Sequence, residues 1–256
     1  MGLFDRTATY LAKGPTLLFT ADPVDPLTDL LKLYDPSVRV RGDRLVFANG
    51  VLLYGPIDIT QELAVQARLP AGMAVAYHAG VAIQSHRERR PDEAKWRDAH
   101  LLVRGLAKRL DGTVHGERPP MDVDLRASVY SGQVLPVEQV TGVLQPYLDD
   151  ELKVEKDQDS YFLVTDQDPP FVTVYWPPRL SRWKEQPPPP ALGPLREREP
   201  CRWELRSKFT AATADRDVCL KIGEAALALA KRADGVAIDM YGFPFARPAD
   251  LLPSGL

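Results

Sequence analysis

Two cysteines in 256 residues, Cys201 and Cys219, exclude a disulfide framework and a cysteine-rich metal site. Histidine is nearly as scarce: His78, His86, His100 and His115 show no H-x-x-x-H or H-E-x-x-H spacing, so the zinc hydrolase motifs are absent. Cationic excess is missing too. A net charge of −3 leaves no global field to gather nucleic acid or anionic lipid. No window approaches the roughly 20 apolar residues that a membrane helix needs. The start, Met1-Gly2-Leu3-Phe4-Asp5-Arg6, lacks the basic region and apolar core of a signal peptide. Neither a phosphate loop nor a Gly-x-Ser-x-Gly elbow occurs. These absences set the expectation of a cytoplasmic non-enzyme with no catalytic residues, metal, cofactor or membrane contact, and with nucleic acid an unfavoured partner.

What the chain does contain is a repeat. Gly105-Leu106-Ala107-Lys108-Arg109-Leu110-Asp111-Gly112-Thr113-Val114 returns 123 residues later as Ala228-Leu229-Ala230-Lys231-Arg232-Ala233-Asp234-Gly235-Val236-Ala237. Each copy reads as the end of an amphipathic helix, an Asp-Gly stop and a strand. Gly112 is expected to supply the positive φ that ends the first helix. A period this long is too large for a solenoid unit and implies two similar domains, 1–121 and 122–256.

Periodicity fills in both halves. Pro91 to Leu110 places Ala99, Leu102, Val103, Leu106 and Leu110 on one helical face. Its counterpart spans Asp217 to Ala233, with Cys219 in register with Trp96 and therefore in the core. Shorter helices are expected from Leu27 to Tyr34 and from Pro136 to Leu148. Hairpins are expected at Val38–Ala48 and Leu152–Val164. Further strands read at 16–20, 50–60, 72–78, 81–83, 128–130, 171–176, 202–209 and 236–241. The expected fold is α+β: two tandem duplicated β-α-β-β-β-α-β units, related to the ferredoxin-like architecture, with mainly antiparallel sheets and helices on one face.

The halves differ most at Pro177–Pro200, which carries eight of the 24 prolines, including Pro187 to Pro190. Such a segment reads as a loop with a stiff polyproline stretch. Long insertions in duplicated scaffolds often carry an added function. Trp and Arg are enriched at binding hot spots, so Trp176, Arg179, Arg182, Trp183 and Arg196 form the expected partner-binding set. Two mismatches within the repeat, His100 against Gly223 and His115 against Ile238, are further places to look. Acidic turns such as Asp157-Gln158-Asp159 lack the glycine and terminal glutamate of a calcium loop.

Two α+β units, the helix-Asp-Gly-strand endings Leu106–Val114 and Leu229–Ala237, and no catalytic motif resemble the immunity proteins of bacterial polymorphic-toxin systems. That resemblance implies a protein that neutralises a toxin by direct binding. The alternative is an RNA-binding or RNA-processing protein, because tandem ferredoxin-like units occur in CRISPR-associated RNA-processing endonucleases. There His78 or His86 would act as base, and the glycine-rich C-terminal loop of that family is not evident around Gly235 to Gly242.

Overall fold

The computed structural model describes residues 3–82, 93–116, 124–148, 151–157, 160–165, 172–176, 188–198, 200–210, 213 and 215–252. Contacts divide the chain into two compact units, Met1–Met121 and Asp122–Leu256. The first runs α1 (Leu3–Lys13), β1 (Thr16–Phe19), α2 (Val24–Tyr34), β2 (Arg39–Arg41), β3 (Arg44–Val46), β4 (Val51–Asp58), α3 (Gln61–Ala67), β5 (Val75–Val81), α4 (Glu93–Leu110) and β6 (Thr113–His115). The second runs β7 (Asp124–Ser131), α5 (Val137–Leu144), β8 (Leu152–Asp157), β9 (Ser160–Thr165), β10 (Val172–Trp176), β11 (Cys201–Thr210), α6 (Arg216–Arg232) and β12 (Val236–Asp239).

Each unit builds a six-stranded sheet. The orders are β2-β3-β4-β5-β1-β6 and, read from the matching edge, β8-β9-β10-β11-β7-β12. Every neighbouring pair is antiparallel. The fold is thus α+β with antiparallel sheets, but four strands rather than the expected three separate the two main helices. Parity explains the number. The connection through α2 leaves β2 running the same way as β1, so only an even-numbered meander returns a strand antiparallel to β1 at the centre.

The long helices form where the periodic apolar residues predict. Ala99, Leu102, Val103 and Leu106 of α4 and Cys219, Ile222, Ala226 and Leu229 of α6 are buried. The α6 N-terminus is capped by the Asp215 side chain, which accepts from Val218 N–H at 2.8 Å. The helix ends differ from expectation. Positive φ falls on Asp111 (52°) and Asp234 (49°), not on the glycines that follow them. Gly112 N–H then reaches back to the Ala107 carbonyl and Gly235 N–H to Ala230, each at 2.9 Å, closing Schellman-type caps. The glycines are needed for space. A Cβ on Gly112 would collide with Phe19 and Leu17, and one on Gly235 with the Tyr130 carbonyl.

Helices occupy both faces of the first sheet, not one. Ala8 and Leu11 of α1 and Leu63 and Ala67 of α3 pack against Leu18 and Ala76. The alternate residues Leu17 and Phe19 are also buried, on the face where α4 packs against β1 and β5. In the second unit the insertion is not all loop. Residues 190–198 form 3-10 turns kinked at Gly193, and Leu192 packs against Tyr130 and Ile238. Prolines fit there because 3-10 turns this short make few of the backbone bonds that proline would forfeit.

Candidate functional site

The repeat allows the central strands of the two sheets to be placed in register through their ladders. Val114 pairs with Leu17 and Ala237 with Val129, so the matched strands β6 and β12 carry Leu17 onto Val129 and Thr16 onto Ser128. Across the next ladder Thr16 faces His78 and Ser128 faces Glu204. One strand further, Tyr54 pairs with His78 and Tyr175 with Glu204. His78 and Glu204 therefore occupy the same place in two sheets, and both are buried polar residues, 9% and 2% exposed.

The surroundings resolve the same problem in opposite ways. In the first unit the positions flanking His78 are small. Ala76 and Gly80 sit two residues to either side on β5, and Gly14 lies against the imidazole so closely that a Cβ would strike its Cε1. Helix α1 closes over the site, Tyr10 lies 5.9 Å and Tyr54 6.3 Å from the imidazole between ring centres, and Thr16 Oγ1 is 3.3 Å from Nδ1. No charge compensates the imidazole's burial, which pushes its pKa down to about 4, so the ring stays neutral.

In the second unit the equivalent positions hold arginines: Arg202 for Ala76, Arg206 for Gly80 and, counting back from the strand, Arg126 for Gly14. Arg206 Nε donates to Glu204 Oε1, Arg126 Nη1 lies 3.9 Å from the same oxygen, and Arg202 Nη1 lies 3.7 Å from Oε2. Burial alone would raise the Glu204 pKa. The three guanidiniums outweigh it and hold the carboxyl below its ordinary range. Tyr130, hydrogen-bonded to Arg202, is 3% exposed, and burial pushes its phenol up. Three arginines about one carboxylate leave a local excess of positive charge. Arg206 is the most open, with a side chain 52% exposed against 24% for Arg126 and 20% for Arg202.

No known protein family, curated protein or solved structure matches the chain.

Of the expected partner-binding set, Trp176 ends β10 in register with Tyr161. Arg196 is half-buried in the 190–198 turns. Arg179, Arg182 and Trp183 lie outside the described residues, as do His86 and Asp159. The other histidines have structural partners: His100 packs edge-on to Trp96 at 5.6 Å, and His115 Nε2 is 3.3 Å from the Ala67 carbonyl. Gly223, opposite His100 in the repeat, is explained by packing, since a Cβ there would meet the Pro248 backbone. Cys219 is fully buried and Cys201 half-buried. Among the described residues no group of three His, Cys, Asp or Glu is placed to hold a metal ion, and no helix is long and apolar enough to cross a membrane.

The Glu204 cluster was missed in the sequence, although part of its signal was there. Arg202, Glu204 and Arg206 alternate along one strand, which puts all three on one face. Arg126 joins them only through the β7–β11 pairing.

Proposed function

We propose that the protein is a non-enzymatic binding protein that captures a protein partner, in the manner of an immunity protein that neutralises a toxin by occupying it, and that it works in the cytoplasm. The observation that carries this reading is the Arg126–Arg202–Arg206 cluster fixed around Glu204. A buried carboxylate holds arginine forks in place before any partner arrives, which lowers the ordering cost of binding. Arg is also favoured at the centre of protein interfaces.

The scaffold reading supports it. We read the strand order β6-β1-β5-β4-β3-β2, all antiparallel, as a ferredoxin-like sheet with two strands added to the meander. We read the second unit as its duplicate, in which a neutral centre under a helix became a charged centre. Such a change adds nothing to the packing that the first unit already achieves without charge, so a role in recognition accounts for it.

The test is capture of a stoichiometric complex by tagged full-length protein from its native cells, with mass measured by light scattering. Arg206→Gln should weaken that complex while leaving the dichroism spectrum of the free protein unchanged, since Arg126 and Arg202 still face the Glu204 carboxylate. A complex that survives Arg206→Gln unweakened removes the cluster from the interface.

A further inference from the structure

The first unit carries a concentration of like charge that the Glu204 cluster does not account for. Strands β2 and β3 form a hairpin at the edge of the sheet, each three residues long, with sequences Arg39-Val40-Arg41 and Arg44-Leu45-Val46. Alternation puts Arg39 and Arg41 on one face of β2, and the pairing of Arg41 with Arg44 puts Arg44 on that face too. Arg44 pairs in turn with Tyr54, so the row continues Arg41, Arg44, Tyr54, His78 across the sheet. Arg39, Arg41 and Arg44 are all exposed. No acidic residue stands in either strand, and the nearest, Asp43, is in the turn.

Like charges directly opposite one another in an antiparallel pair are destabilising. Charged side chains on β2 discourage unwanted pairing at the sheet edge, but Arg44 stands on the inner strand β3, where edge protection does not call for it. The arrangement is also partly held. Arg44 Nη1 donates to Tyr54 Oη at 3.3 Å, and its guanidinium carbon lies 5.9 Å from the centre of that ring. Tyr10 of α1, 61% exposed and close to His78, stands on the same face. An arginine steadied on a tyrosine beside two free-standing arginine positions is a receptor for planar anions, which guanidinium forks grip in bidentate fashion.

We infer that the β2–β3 hairpin is a second recognition surface, whose partner is an acidic protein segment bearing clustered Asp or Glu carboxylates. Carboxylates are favoured over nucleic-acid phosphates on two grounds. The chain as a whole is negative, which opposes a long polyanion more than a short acidic segment. His78 is buried and Tyr54 is engaged by Arg44, so Tyr10 alone of these three rings is open to a base, whereas single-strand recognition stacks successive bases on several rings. The inference stands on the first unit alone and does not depend on the role proposed for Glu204.

Full-length protein would be titrated into a short fluorescein-labelled oligoglutamate peptide and, separately, into a labelled oligouridylate of matched charge, with anisotropy as the readout. The peptide should bind, more weakly as salt is raised. Arg39→Gln, Arg41→Gln and Arg44→Gln should each weaken it about two- to fivefold, the range that exposed ion pairs span. The triple Gln variant, being altered only at exposed positions, should keep its dichroism spectrum and lose binding. Arg206→Gln should bind as wild type. Absence of peptide binding, full binding by the triple variant, equal loss in Arg206→Gln, or tighter capture of oligouridylate through the same arginines would each overturn the inference.

Discussion

Acidification should destabilise the first unit through one residue, His78, and the size of the effect follows from its burial. In the unfolded chain an imidazole titrates near 6.5, whereas desolvation pushes the buried His78 down to about 4. Between those values the unfolded state takes up a proton that the folded state refuses, so stability falls as pH falls. Each pH unit across the window costs about 1.4 kcal/mol. At pH 5 the loss is about 2 kcal/mol, and it reaches about 3 kcal/mol near pH 4, below which the folded protein protonates as well. His78→Gln abolishes the titration and retains polar groups opposite Thr16. Urea unfolding of wild type and variant at pH 7 and pH 5, followed by far-ultraviolet dichroism, isolates the contribution, because other titrating groups cancel in the difference. Wild type should lose about 2 kcal/mol more than the variant between the two conditions. Equal losses would refute the reasoning, and so would an NMR titration showing His78 half protonated near its unfolded value.

Two further outcomes follow from the paired sheet centres. Glu204→Gln should cost on the order of 3 kcal/mol at pH 7, because it leaves three guanidiniums around a neutral amide. Since the folded pKa of Glu204 is lowered, its contribution is present above about pH 4.3 and disappears as pH falls through the folded value. Wild type and Glu204→Gln should therefore converge in thermal melts at low pH, and a constant gap would contradict the charge argument. Gly14→Ala should destabilise by about 1–3 kcal/mol through overpacking against His78. His78→Ala in the same chain should recover part of that cost, so that a double-mutant cycle by urea unfolding shows coupling, whereas additive effects would show that the two do not press on each other.

What could be read from the residues followed the strength of local signals. The helices α4 and α6 and the strands after them were legible because five or more apolar positions repeat on one face. Helix α1 was not, since it buries only Ala8 and Leu11 of its described side chains and presents Tyr10 to solvent. Helix α3 is seven residues long, too short for periodicity to register, although its Thr60 cap accepts from Leu63 N–H. The sheet centres were invisible for another reason. His78 and Glu204 differ in chemistry and lie at unequal offsets from the matched helices, so only the ladder registers reveal them as equivalents. The mismatch of His100 with Gly223, by contrast, was plain in the sequence and proved to be a matter of room for Pro248.

The exchange at the sheet centres also bears on how the two halves can vary. A glutamate placed at His78 would lie beneath α1 with no cation at the neighbouring Gly14, Ala76 and Gly80, and arginines introduced there would have nowhere to go under that helix. Conversely, a histidine at Glu204 would face three guanidiniums. Each centre is viable only with its own set of four residues, so the halves share a topology yet cannot trade parts one substitution at a time. A chimera that swaps β5 for β11 must carry with it the position before β1 or on β7, Gly14 or Arg126, and the covering segment, so the sheet centre and its roof move only as a whole.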